Sequence, residues 1–366
     1  MSNLLIHKLF TYLVENKGSD LHISQGQPPK VRISGELVVI PGYPELTHET
    51  MLELLTSICE PHVYARFEAE NDLDFAYEMN EESRFRCNYF VQAHGLGAIF
   101  RLIPTEILTL EDLSLPDAIE RFTHLRSGLV LVTGPTGSGK STTLAAIIDY
   151  INRHHRYHIV TIEEPIEFVH QNKQSLITQR EVPVHAPNFT TALKAAIRED
   201  PNIILVGEMR DLETIGLALS AAEMGALVFG TLHTNSARKT IDRLIDAFPA
   251  NQQDQVRTML AGSLKGVVAQ LLMKRIDKPG RVPVNEILVG GTAVSAIIRE
   301  GATHKLGDAI VSGKAEGMQF MDDDIWAKMI EGKVSAEEAY MKSSDKARFA
   351  AFLPEELKQT VGKMGS

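Results

Sequence analysis

The rhythm of apolar and polar positions changes near residue 127. Before it, short helical and strand-like patterns mix. LLIHKLFTYLVE keeps helical spacing, and GSD at 18–20 ends it. DLHISQG and KVRISGELVVI read as strands, the second with a turn at Ser34-Gly35. HETMLELLTSICEPHVYARFEAE returns to helical spacing, and LDFAYEM, SRFRCNYFVQ and LGAIFRLIP read as further strands. These patterns predict a small α+β domain with an antiparallel sheet over residues 1–103, closed by Ile103-Pro104.

Residues 104–126 read as a linker and entry helix. From Ser127 short apolar strands alternate with amphipathic helices. LVLVT, HIVTIEEP, NIILVGEM and ALVFGTLHT are strands, with helical FTTALKAAIRED and DLETIGLALSAAEMG between them. That alternation predicts the α/β class, a parallel sheet covered by helices that binds ligands at the carboxyl ends of its strands. Beyond His233 the pattern is mostly helical. A long helix is expected over NQQDQVRTMLAGSLKGVVAQLLMKR, 251–275, then a short strand, VPVNEILVG. The core spans 127–290. A helical region over 291–366 contains AVSAIIRE, DDDIWAKMIEGK, SAEEAYM and EELKQTV.

Composition narrows the function. The chain has 366 residues, 44% of them hydrophobic, and a net charge of −10, which argues against a nucleic-acid partner. Cys59 and Cys87 form no CxxC pair, so inert thiols in a reducing cytoplasm are expected, without zinc. No apolar run approaches the roughly 18 residues of a bilayer span. The amphipathic MSNLLIHKLFTYLVENKG is no secretory signal. Membrane contact is expected only through partners.

The sharpest motif is G-x-x-x-x-G-K-S at 134–141, between an apolar strand and a helix. Gly134, Pro135, Thr136, Gly137, Ser138, Gly139, Lys140, Ser141 and Thr142 are the expected ATP-binding residues. Its glycines let backbone N–H groups converge on phosphate oxygens at a helix N-terminus. Lys140 would reach the β- and γ-phosphates, and the Ser141 hydroxyl would ligate Mg²⁺. ATP and Mg²⁺ are thus the expected cofactors.

Each following strand ends in polar residues. HIVTIEEP delivers Glu163 and Glu164, NIILVGEM delivers Glu208, and LVFGTLHT delivers His233. Glu208 follows a Walker-B-like strand, where a carboxylate can hold Mg²⁺ through water or activate an attacking water. The Glu163-Glu164 pair reads either as a site or as a turn surface. His233 reads either as a structural hydrogen bonder or as a γ-phosphate sensor. Arg84, Arg86 and Arg101 lie on strands of the first domain, where arginine is either a surface group or a phosphate grip.

GPTGSGKSTTLAAIIDYIN, TIEEPIEFVH, ITQREV, ALKAAIREDPNIILVGEMRDLETI and LVFGTLHTNSA together resemble the secretion-ATPase superfamily. Within it the chain most resembles the PilT-like branch of type IV pilus retraction motors. The resemblance implies a PAS-like N-terminal domain and a RecA-like motor assembled as a homo-hexamer. It implies Glu163 near metal and nucleotide, Glu208 as the Walker B glutamate and His233 as a His-box histidine. Arg86 and Arg101 would be the paired arginines that close onto the phosphates. As partners it implies a pilus platform protein of the inner membrane and a paralogous retraction ATPase, with the motor peripheral at the pilus base.

The chain departs from the family pattern at three places. Glu164 replaces an aspartate, Gly225-Ala226-Leu227 lacks the first His-box histidine, and AVSAIIRE stands where AIRNLIRE is usual. The last two departures keep an accessory, PilU-like subunit or a nucleotide-binding regulator as an alternative. A pilus-assembly or type II secretion ATPase is a further rival, disfavoured by the missing cysteine module.

Overall fold

The computed structural model describes residues 4–33, 35–80, 83–103, 106–354 and 357–358. Ser34 of the expected turn, Pro104 and most of EELKQTV lie outside them. The chain forms two compact units, one running to Glu106 and including Pro165–Val169, the other containing Ile107–Glu164 and the chain from His170 onward.

In the first unit α1 (Leu5–Glu15) buries Ile6, Leu9, Phe10 and Leu13, the stripe its helical spacing predicts. Then come β1 (Asp20–Ser24), β2 (Lys30–Ile33), β3 (Glu36–Val39), α2 (His48–Thr56), α3 (Pro61–Glu70), β4 (Asp72–Asn80), β5 (Ser83–Gln92) and β6 (Gly95–Ile103). The strands form one sheet, ordered β3-β2-β1-β6-β5-β4, with antiparallel neighbours. Along β5, Phe85, Cys87 and Tyr89 are buried while Arg84, Arg86 and Asn88 face outward. Phe10 stacks on Phe85 with ring centroids 4.0 Å apart, fastening α1 to the sheet.

The second unit opens with α4 (Asp117–Phe122), β7 (Gly128–Thr133), α5 (Lys140–His154), β8 (His158–Glu163), β9 (Leu176–Glu181) and α6 (Phe189–Ala196). It continues with β10 (Ile203–Val206), α7 (Leu212–Glu223), β11 (Leu227–Leu232), α8 (Ala237–Asp246) and α9 (Gln253–Ser263). Next are β12 (Leu264–Lys274), β13 (Arg281–Val289) and α10 (Thr292–Arg299). The seven strands run β13-β12-β7-β11-β10-β8-β9. All neighbours are parallel except β12 and β13. β7, β10 and β11 are buried at every position, which explains their unbroken apolar runs. Leu129 and Leu131 enter the core on one face, Val130 and Val132 the core on the other.

One expectation fails. The helix predicted over 251–275 stops at Ser263, and the remainder is the strand β12. The run LKGVVAQLLM serves both cores alternately, with Val267 on one face and Val268 on the other. A largely apolar run of this length suits a helix or a doubly buried strand equally, and the β-branched pair Val267-Val268 fits the strand. Gly266 completes the fit, since a Cβ there would lie 2.3 Å from the Phe122 ring of α4. β9 is an edge strand with mostly half-buried residues, too weak a pattern to stand out. Helices Met321–Ile330, Ala336–Lys342 and Lys346–Ala350 pack Ile325, Ala339 and Phe349 against Met273, Val282 and Val284 of the β12–β13 hairpin.

Candidate functional site

Between β7 and α5 the backbone makes the turn its glycines permit. Gly134, Gly137 and Gly139 have φ of 149°, 77° and 83°, a region side chains disfavour. Gly134 also needs the space, because a Cβ there would meet the Gln270 carbonyl oxygen at 2.3 Å and Ser138 Oγ at 2.5 Å. Gly137 is open, with nothing within 4 Å of that position. The loop leads into the N-terminus of α5, where Lys140 is the first helical residue and half-buried Ser141 and Thr142 follow. Lys140 Nζ donates to the carbonyls of Gly134 (2.8 Å) and Pro135 (3.2 Å), which holds the ammonium at the loop.

A residue outside the motif completes this loop. Gln270 of β12 donates from Nε2 to the Ser138 carbonyl (2.7 Å) and accepts at Oε1 from Thr143 Oγ1 (2.9 Å). Its signal in the sequence is slight: one amide inside an apolar run.

Strands β11, β10 and β8 are neighbours, so their carboxyl ends lie side by side. The loop is tied to the first of them, Gly134 N–H donating to the Leu232 carbonyl (3.2 Å), next to His233. Gly207 N–H donates to Ile162 (2.8 Å), and a Cβ on Gly207 would press on that carbonyl at 2.9 Å. This brings Glu208 beside the end of β8. Glu208 Oε1 pairs with His233 Nε2 at 3.0 Å and Oε2 with Arg210 Nη2 at 2.7 Å. Arg210 also lies 3.5 Å from Glu164 Oε2. The hydrogen bond from Arg210 holds the Glu208 carboxyl below its ordinary pKa; partial burial opposes this, and Arg210's charge and His233 reinforce it. Glu163 is oriented separately, accepting at Oε1 from Thr161 Oγ1 (2.6 Å) and Gln179 Nε2 (3.2 Å). Arg210 lies inside the NIILVGEMRDLETI motif, and its position two residues after Glu208 is its signal in the sequence.

The arginines lie on the sheet of the first unit. Arg86 and Arg101 are directly opposed across β5 and β6, so they share a face. Arg101 Nε donates to Asp20 (2.8 Å), and Arg86 Nη2 to Asp74 (3.1 Å). Arg84 pairs with Glu78 at 3.3 Å. Ala226 lies at the opposite end of β11 from His233, where its carbonyl accepts from Gly128 N–H (3.0 Å). Within AVSAIIRE, Ser295 Oγ donates to the Ala261 carbonyl of α9 (2.6 Å).

The family model described as type II/IV secretion system protein matches residues 2–348. The chain belongs to this family. Among curated members, it is 47% identical over 338 residues to the type IV pilus retractation ATPase PilT of Pseudomonas aeruginosa, covering 92% of this chain and 98% of that protein. To the type IV pilus ATPase PilU of the same organism it is 37% identical over 335 residues, covering 91% and 87%. The crystal structure of the pilus retraction motor PilT with bound ADP superposes with a TM-score of 0.87 at 42% identity, covering 95% of this chain and 98% of that one. The parallel-sheet unit is the RecA-like ATPase domain of the secretion family. Among the described residues no helix is long and apolar enough to cross a membrane.

Proposed function

We infer that this chain is an ATPase that powers type IV pilus retraction. The observation that carries the reading is one juxtaposition: a phosphate loop tied to the strand that ends at His233, with His233 paired to the Walker-B carboxylate Glu208. Identity of 47% to a retraction ATPase, against 37% to PilU, favours the primary motor.

In this reading the backbone of residues 134–139, with Lys140, grips the phosphates, joined by Thr142 in the first helical turn. The glycine geometry and the ammonium held at the loop suit a polyphosphate. Ser141, Glu163 and Glu208 would hold Mg²⁺, directly or through water, with phosphate and solvent completing its shell. A bound ion would supply positive charge that neutralises the phosphate oxygens. Glu208 orients or deprotonates the attacking water, for which one of its oxygens must release His233 or Arg210. His233 reports the γ-phosphate to Glu208. Arg86 and Arg101 would exchange their acidic partners, Asp74 and Asp20, for phosphate. The working form is a cytoplasmic homo-hexamer, peripheral at the inner membrane, engaging a pilus platform protein and a paralogous retraction ATPase.

An accessory subunit is the second reading, favoured by Ala226 in place of a histidine. Nucleotide binding without turnover by the purified protein would mark an accessory subunit, and a deletion strain complemented with wild type or Glu208→Gln tests the retraction role. Excess pili and lost surface motility are expected without the gene, restored only by wild type, and purified Glu208→Gln should lose about 10²-fold or more in kcat while still binding nucleotide. Absent pili would indicate an assembly motor, and full turnover by Glu208→Gln would remove its assigned role.

A further inference from the structure

We propose that Gln270 is a positioning residue of the nucleotide site, whose amide holds the phosphate loop in the shape that receives phosphate. This rests on the reading of residues 134–142 as a nucleotide site.

Gln270 is 1% exposed. It follows Ala269, whose partner on β7 is Thr133, the last strand residue before the loop. Its side chain therefore stands where the chain leaves the sheet. Its two hydrogen bonds reach both sides of the loop's exit, the Ser138 carbonyl before the helix and the Thr143 hydroxyl within its first turn. Two glycines are fitted against it as well. A Cβ on Gly139 would lie 3.0 Å from Gln270 Nε2, and one on Gly134 would lie 2.3 Å from the Gln270 carbonyl oxygen. Start, end and following helix turn of the loop all meet this residue.

A buried primary amide is expensive unless its bonds are made, and an apolar side chain would suit a core strand better. What the amide supplies is direction. By donating to the Ser138 carbonyl it keeps that oxygen turned toward β12. The loop can then offer N–H groups, rather than a repelling carbonyl, to an anion. By accepting from Thr143 it fixes the start of α5 relative to the loop. Ordering the cradle before the ligand arrives lowers the cost of binding, so the effect belongs in affinity.

The test compares full-length wild type, Gln270→Met, Thr143→Val and the double variant. Met keeps the length and approximate volume while removing both hydrogen bonds. The readouts are affinity for a fluorescent ADP analogue, KM and kcat for ATP, and the thermal midpoint. Gln270→Met is expected to raise Kd and KM about tenfold, with kcat at saturation changed less than about threefold. Thr143→Val is expected to raise both about threefold, and the double variant to be no worse than Gln270→Met. A merely structural role would lower the thermal midpoint without this split between KM and kcat. Wild-type Kd and KM in Gln270→Met would overturn the proposal alone. Should that variant not fold, unchanged constants in Thr143→Val overturn it. If wild type binds the analogue no better than Lys140→Ala does, the nucleotide reading falls, and this proposal with it.

Discussion

His170 sits at the end of TIEEPIEFVH, with its Nδ1 sealed from solvent and without a hydrogen-bond partner among the described residues. Desolvation pushes its pKa down to about 4; Asp149 pulls it up and Lys173 pushes it further down. The unfolded chain, with an ordinary histidine near 6.5, therefore binds a proton that the folded chain refuses. Stability is fully present above about pH 6.5 and is lost as pH falls toward 4, by on the order of 3 kcal/mol from this group. Urea unfolding at pH 7 and pH 4.5 should show a shallower decline for His170→Gln than for wild type; parallel declines would count against the assignment. Residues of this kind are hard to read in a sequence. Glu163, Glu208 and His233 were legible because each follows a strand whose apolar run announces its end. Gln270 was not, because its importance lies in what it touches 132 and 127 positions away, at Ser138 and Thr143.

Among the elements, the parallel strands and the helices between them follow from periodicity, because burial on both faces leaves continuous apolar runs. β12 does not, because a strand buried on both faces through its middle carries no alternation there. Its placement beside β7 depends on Gly266, where Phe122 of α4 fills the space a side chain would need. Gly266→Ala should cost about 1–3 kcal/mol by overpacking, read as a lower urea midpoint. Pairing it with Phe122→Leu should recover part of the loss. Equal stability of Gly266→Ala and wild type would mean that α4 yields without cost. Two of the three family departures can be placed at this scale. Ala226 lies at the far end of β11 from the phosphate loop, and Ser295 of the altered AVSAIIRE fastens α10 to α9.

At the scale of the molecule, the hairpin of β12 and β13 joins the phosphate loop to the C-terminal helices. Gln270 pairs in register with Asn285, whose backbone N–H donates to Asp324 (2.8 Å) and whose carbonyl accepts from Gln319 (2.8 Å). Met321–Ile330, which carries Asp324, is thus pinned to the strand beside the one that braces the loop. The proposed hexamer predicts a six-chain particle in sedimentation velocity with ADP and Mg²⁺, and a monomer under the same conditions would exclude the ring. Coverage of 98% of a known retraction ATPase makes the family legible across both units, whereas the proposed assembly and platform contact would involve surfaces that a single chain's periodicity does not mark.

The brace from Gln270 also bears on how far a sequence motif can be trusted by itself. Residues 134–141 are contiguous, and a fragment ending at residue 263 would carry all of them, with strand, loop and helix. It would still lack the amide that turns Ser138 and the strand against which Gly134 is fitted. The motif is therefore not portable: grafted onto another scaffold, or left in a protein that has lost its final hairpin, the same eight letters would describe a loop without its wall.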